Sequence, residues 1–333
     1  MEDGQARVLL VAVGNTRTRV GRYVPLGQGG VGGPSGAGRR GELEPSRVMV
    51  NADRSGLLEA LSGEARSLAT ADSAQEPWPA GVPRVVLAGV HRGVLREVHD
   101  ALAGAAGRVA VLVAPPPVGG AGNGRSVSVG GVGGVGGGGV PIPIAHELPE
   151  PVTVGTDRLL NALGAWGRSG EACVIIDAGT AVTVDLVDSG GVFRGGVIAP
   201  GVGAMLGALH ASAQALPLVE PPMQRGEALP VGPLGTTTVE AMLLGCAQAV
   251  RGLLQRCLEA YAAQLGSYPR VIATGGDAPA LFEHDDLVEH VVPDLGLMGM
   301  AAAWESLYGA GGALPGAVAR ADGDDPDDDE IDT

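Results

Sequence analysis

The sequence predicts an α/β protein built from two duplicated domains, and three observations carry that expectation. At 333 residues the chain is long enough for two domains of ordinary size, each burying its own core. Apolar residues make up 45% but aromatics only 3%, so Val, Leu, Ile and Ala must fill that core, as in sheets flanked by helices. The plan of residues 9–23 also recurs near residue 174. Sliding one segment on the other by 165 positions puts Gly14 on Gly179, Val11 on Ile176, Thr18 on Thr183 and Val20 on Asp185, with Asp177 falling on Ala12.

Val8 to Val13 is a near-continuous apolar strand that ends at Gly14-Asn15-Thr16, and Thr18, Val20 and Tyr23 restart a second strand after the turn. Residues 25–41 are Gly-rich and read as a flexible loop. Arg84 to Val90 is a further strand, followed after His91 by a helix through Leu95 and Val98 and by a strand from Arg108 to Val113. Residues 115–143 hold isolated valines among glycines and prolines and read as a disordered insertion. Leu159, Leu160, Leu163 and Trp166 are spaced as on a helix, with Thr156 as the expected N-cap. Val174 to Gly179, then Val182, Val184 and Leu186, form the second strand–turn–strand, and a short strand is bracketed by Gly195-Gly196 and Pro200-Gly201. Thr237 with Glu240 makes a capping box for a long helix through Tyr261. A strand at Val271 to Ala273 and a closing helix from Leu297 to Tyr308 complete the pattern. The expected domains are therefore 1–150, carrying both insertions, and 151–310, with 311–333 a disordered acidic tail.

The charge pattern excludes several function classes. Of the net −15, eight charges lie in the tail between Asp322 and Asp332, and no basic stripe stands out against them, so nucleic acid is not an expected partner. No run approaches the length needed to span a bilayer, and Val8 to Val13 is too short for a signal peptide; a cytoplasmic protein without membrane contact is expected. Cys173, Cys246 and Cys257 lack metal or disulfide spacing and read as small core residues. The six histidines form no HxxxH pair, so any metal would be held by oxygen. All 22 basic residues are arginine. With no lysine there is no Walker P-loop lysine, no kinase strand lysine and no Schiff-base amine. Phosphate would have to be cradled by backbone N–H groups, hydroxyls, arginine and metal.

A strand that ends in an Asp/Gly/Thr turn surrounds a concavity with backbone donors, and its acid can hold a phosphate-bound cation. Two such turns facing each other would grip a polyphosphate from both sides. Most Gly-Thr turns are structurally mute, and it is the repeat that raises this pair above that background.

The motifs GNT at 14–16, GTDR at 155–158, DAGTAVTVD at 177–185, GGVIAPG at 195–201, LP at 216–217, T-x-x-A at 238–241, TGGD at 274–277 and DLGLMGM at 294–300 resemble, in order and spacing, the type III pantothenate kinases. The resemblance runs from about residue 8 to residue 308 outside the Gly-rich insertions. It implies two actin-like (ribonuclease H-like) domains around a nucleotide cleft. It also implies a homodimer with its site near the interface, which phosphorylates pantothenate from ATP with Mg²⁺ and a monovalent cation, K⁺ or NH₄⁺, in the first step of coenzyme A synthesis. Carried over by position, Asp157 is the general base, and Gly155, Thr156, Asp157, Arg158 and Thr238 bind substrate. Gly14, Asn15, Thr16, Thr180, Gly275 and Gly276 meet ATP, and Asp177 is the cation ligand.

Two positions depart from the family pattern. Ala12 stands where the family writes the Asp of D-x-G-N-T, and Leu148 stands where it usually has a tyrosine. Ala12 removes a cation-anchoring carboxylate and suits a non-catalytic regulator on the same fold, such as a transcription accessory factor. Leu148 leaves open a kinase of another small hydroxyl substrate.

Overall fold

The computed structural model describes residues 7–25, 41–70, 82–106, 109–115 and 139–309. Most of the two Gly-rich segments and the whole acidic tail lie outside these.

The first sheet opens with β1 (Val8–Val13) and β2 (Arg17–Val24), an antiparallel hairpin. β3 (Glu42–Leu43) and β4 (Arg47–Val50) pair antiparallel with the outer edge of β2. β5 (Val85–Gly89) runs parallel to β1, β6 (Val109–Val113) to β5 and β7 (Val140–Pro141) to β6. Residues 139–143 therefore do not belong to a structureless insertion: β7 extends the sheet, and Ile142 beyond it is buried.

The second sheet repeats this order. β9 (Cys173–Ala178) and β10 (Ala181–Val187) form the hairpin, and β11 (Val192–Pro200) pairs antiparallel with β10. β12 (Arg270–Thr274) runs parallel to β9 and β13 (His290–Val291) to β12, while β8 (Ala145–His146) joins β11 at the far edge. The expected two-lobed α/β duplication is what the chain adopts. β11 is longer than the short strand expected, because its ladder with β10 continues through Gly195 and Gly196.

One detail of the internal repeat is corrected by the ladders. The first turn closes through Gly14 N–H to the Arg17 carbonyl (2.9 Å), the second through Gly179 N–H to the Ala181 carbonyl (3.0 Å), so the first turn is one residue longer. Arg19, not Thr18, therefore stands opposite Ala12, where Thr183 stands opposite Asp177. By the same slip Gly21, not Val20, is the counterpart of Asp185.

Among the described residues seven α-helices fill the layers around the sheets. α1 (Arg54–Thr70) and α2 (Arg92–Ala106) pack on each other and on Leu9, Val11 and Val13, covering the outer face of the first sheet. α4 (Val202–Ser212), α5 (Thr238–Leu265) and α6 (Ala278–Phe282) cover the outer face of the second through Val174, Ile176 and Val184. Between the sheets lie α3 (Thr156–Ser169) on β9 and β10, and α7 (Leu295–Tyr308) on β1 and β2. Their shared core joins Leu10, Leu159, Leu163, Ile175, Leu297 and Trp304. α3 and α7 cross closely: a Cβ on Gly299 would collide with the Leu160 carbonyl. The lobes are also tied by Tyr23 Oη–H to Glu305 (2.7 Å) and Trp304 Nε1–H to the Pro83 carbonyl (3.1 Å).

The Thr237–Glu240 capping box is present at the start of α5, and all three cysteines are buried. Thr156, however, is the first residue of α3 rather than its cap. Gly155 takes the N-cap position, and the Thr156 hydroxyl donates to the Gly89 carbonyl (3.3 Å).

Candidate functional site

The site is built by strand alternation. Residues 175, 177, 183 and 185 all point toward α3, because side chains alternate along a strand and directly paired residues share a face. This places Asp177 and Asp185 on the sheet surface beneath the first turn of α3, where Asp157 and Arg158 begin the helix. One turn further along α3, Asn161 Nδ2–H donates to Asp177 Oδ2 (2.8 Å).

Arg158 lies over Asp185, its Nε–H within 3.0 and 3.1 Å of the two carboxylate oxygens, with a further bond from Nη2. Its guanidinium also stands 5.8 Å from the centre of the Phe193 ring. Burial works against the Arg158 charge, yet the hydrogen bond and charge of Asp185 outweigh it, and the guanidinium stays firmly protonated. Asp185 is 1% exposed, and that burial raises its pKa in spite of Arg158.

The three carboxylates sense one another. Asp177 is pushed up to about 6, first by burial and then by the charge of Asp157, with Asn161 and Arg19 acting in the opposite direction. Asp157 has surface open to solvent, but the protein packed around its carboxyl desolvates it and raises its pKa against the backbone N–H and charge of Arg158. The Arg158 N–H donates to Asp157 Oδ1 (2.9 Å). The cleft thus concentrates three mutually repelling acids, a pattern more typical of chemistry than of a surface.

From the first lobe, the turn Gly14-Asn15-Thr16 is exposed at its tip and braced by Asn51. Asn51 Nδ2–H donates to the Gly14 carbonyl (2.8 Å), its Oδ1 accepts from Thr18 (2.7 Å), and its N–H donates to the Thr16 carbonyl (2.9 Å). Arg17 at this turn approaches the loop Thr274–Asp277 closely enough to lower the Asp277 pKa, although burial raises it on balance. In that loop Gly275 has φ +96°, and a Cβ there would strike the Ala178 carbonyl, so only glycine lets the loop close on the Asp177 turn. Thr180 is exposed at the tip of the second turn.

The cleft therefore brings together Asp157, Arg158, Asp177 and the loop at Gly275 and Gly276, with the Gly14–Thr16 turn reaching them through Arg17. Thr238 is elsewhere: it is exposed at the start of α5, a helix that covers the opposite face of the second sheet from α3. Asp185, Asn161 and Arg19 were not among the expected site residues. Asn161 was within reach of inference, since it lies four residues beyond Asp157 on one helix face.

Among the described residues no three His, Cys, Asp or Glu side chains converge as a metal cluster. What the site offers a cation is the Asp177 carboxylate and, opposite it, the buried Thr183 hydroxyl. That hydroxyl makes no hydrogen bond of good geometry, though it lies near enough to Asp185 to help lower its pKa. One hard carboxylate and a hydroxyl suit an oxygen-seeking ion that takes its other ligands from phosphate and water, as Mg²⁺ does.

Residues 134–260 match the sequence family described as type III pantothenate kinase. A type III pantothenate kinase of Akkermansia muciniphila is 40% identical over 160 residues, 48% of this chain and 64% of that relative. The one from Rhodopirellula baltica is 42% identical over 144 residues, covering 43% and 50%. The matched region thus spans less than two thirds of these relatives' own lengths. Among solved structures, a Campylobacter jejuni protein described as a Baf family transcriptional activator superposes with a TM-score of 0.47 at 15% identity, over 90% of this chain and 98% of that one. The matched stretch contains the GTDR, DAGTAVTVD and GGVIAPG motifs and the start of α5, and over it the chain is similar to type III pantothenate kinases.

Proposed function

We propose that the chain transfers the γ-phosphoryl group of ATP to the hydroxyl of pantothenate. The observation that carries this reading is the cluster of Asp157, Asp177 and Asp185 under the α3 N-terminus, in a cleft between two lobes that repeat one topology. The polyphosphate lies between the turns at Gly14–Thr16 and Thr180, with the adenosine side against Gly275 and Gly276. The Asp157 carboxylate accepts the hydroxyl proton as the substrate oxygen attacks. Its raised pKa makes it a stronger base than an ordinary carboxylate. Arg158, fixed by Asp185 and Phe193, orients the substrate through its remaining N–H donors. Asp177, with Thr183 beside it, holds Mg²⁺ or the monovalent cation, whose chemistry when bound is to neutralise phosphate charge.

Thr238 enters this reading through a second copy of the chain. It starts a helix on the far face of the second sheet from Asp157, and in the segment leading into and opening that helix Val231, Leu234 and Val239 are exposed. A homodimer that buries these residues would present Thr238 to the partner's cleft. Mixing Asp157→Asn subunits with Thr238→Ala subunits should then restore part of the activity that each lacks alone; no recovery after subunit exchange would refute a shared site.

The whole reading is tested by an ATP-dependent phosphorylation assay on pantothenate and a panel of other small alcohols. Pantothenate should be the preferred acceptor. Preference for another alcohol would reassign the substrate. Tight ATP binding without turnover on any acceptor would favour the non-catalytic regulator that Ala12 suggests. Such work would belong in the cytoplasm, and among the described residues no helix is long and apolar enough to cross a membrane.

A further inference from the structure

The first hairpin presents a methyl group and a guanidinium where the second presents a carboxylate and a hydroxyl. Ala12 and Arg19 are directly paired, as are Asp177 and Thr183, and both pairs face the layer that holds α3 and α7. Arg19 occupies this slot because the first turn is one residue longer than the second. Its Nη1 donates to Asp294 Oδ1 (2.5 Å), at the start of α7, and to Ser46 (3.2 Å), so the guanidinium is held in place rather than free to sweep through solvent. Ser46 itself donates to the same Asp294 oxygen. Among the described residues the Nε and Nη2 donors of Arg19 carry no hydrogen bond, and about a quarter of the side chain is exposed (27%). Arg19 is also close enough to Asp177 to pull on its charge across the cleft.

We infer that Arg19 is the first lobe's phosphate ligand, a fixed positive charge that substitutes for the cation a carboxylate at position 12 would have anchored. The inference rests on the nucleotide-binding reading above. A guanidinium offers several N–H donors in a rigid fork, suited to bridging phosphate oxygens, and it needs no metal to do so. Alanine opposite it is the compatible neighbour, because an acid there would pair with the guanidinium and withdraw it. Asp294 and Ser46 occupy one nitrogen and aim the others. In a chain without lysine, this is how a strand facing a polyphosphate acquires a positive charge.

The test is ATP binding by calorimetry, in EDTA and in millimolar Mg²⁺, with melting curves for each variant and adenosine as the ligand without phosphate. The wild type should keep most of its ATP affinity in EDTA. Arg19→Met should lose about tenfold to a hundredfold in EDTA, the share of one charge-assisted contact, and less in Mg²⁺. Arg19→Lys should retain most of the affinity, and adenosine should bind every variant alike. Asp294→Asn, which releases the guanidinium without removing it, should bind ATP at least as well as the wild type. If Arg19→Met binds ATP like the wild type in EDTA, the inference fails while the nucleotide reading stands. If Asp294→Asn loses as much as Arg19→Met, Arg19 is a strut between lobes and the inference fails. If the wild type binds ATP in neither buffer, the nucleotide reading itself falls.

Discussion

The two hairpins, β1–β2 and β9–β10, share a topology and a face but not a chemistry. The first is rigid and cationic: Asn51 ties its turn at three points, and Ala12 and Arg19 line its inner face. The second is acidic and less constrained, with Asp177 held by one Asn161 bond and Thr183 left without a well-formed partner. Duplication evidently fixed the ladder and left the side chains on its inner face free to diverge, and a single extra residue in one turn decided which side chain faces the cleft.

The largest expected effect separates the hairpins by function. Asp177→Ala should cost turnover about two to three orders of magnitude, the range for removing one preorganised electrostatic group. Steady-state kinetics with a retained melting temperature would show it; a loss under tenfold would mean the second hairpin is not the cation side.

Next comes stability, where the hairpins should respond in opposite ways to the same change. Thr18→Val orphans a buried Asn51 oxygen and should cost about 1–2 kcal/mol, whereas Thr183→Val removes a hydroxyl with no good partner and should stay within about 0.5 kcal/mol. Equal losses in denaturant titrations would erase the distinction.

Asp177 supplies a pH signature that Ala12 cannot. Its folded pKa, about 6, lies above the ordinary value of 3.8, so the folded state holds its proton more tightly than the unfolded state. The corresponding stability is full below about pH 3.8 and is lost as pH rises through about 6. Asp177→Asn should therefore stabilise the protein by about 1–2 kcal/mol at neutral pH and flatten that part of the profile, read by melting temperature against pH. An unchanged profile would show that the carboxylate is not desolvated.

The smallest effect belongs to Ala12→Asp. The new acid should pair with Arg19, lowering ATP affinity in EDTA by about threefold to tenfold and making binding depend on Mg²⁺. Affinity that rises in EDTA would contradict the role given to Arg19.

How far the sequence could be read follows from the same physics. The core strands were legible because continuous Val, Ile and Leu runs admit few alternatives, and the 165-residue offset located the second hairpin strand for strand along β1 and β9. The offset could not reveal the longer first turn, since Thr18 on Thr183 is as good a match on paper as Arg19 on Thr183; only hydrogen-bond register decides it. α1 went unread although Leu57, Leu61, Ala65 and Leu68 keep helical spacing, because Ser and Gly dilute the signal. In the site, GTDR and DAGT were visible as motifs. The Arg158–Asp185 pair was not, because it joins a helix start to a strand 27 residues later through tertiary packing alone.

α7 carries a consequence for synthesis. It is the last described element, yet it packs on β1 and β2, the first, and it supplies Trp304 and Glu305 to Pro83 and Tyr23. A nascent chain emerging from the ribosome can pair β1 with β2 and cover them with α1 and α2, but their other face stays open until α7 has been made. The amino-terminal lobe is thus begun first and finished last. Chains truncated before Leu295 would expose Leu10 and Tyr23 and should be found with chaperones or in aggregates.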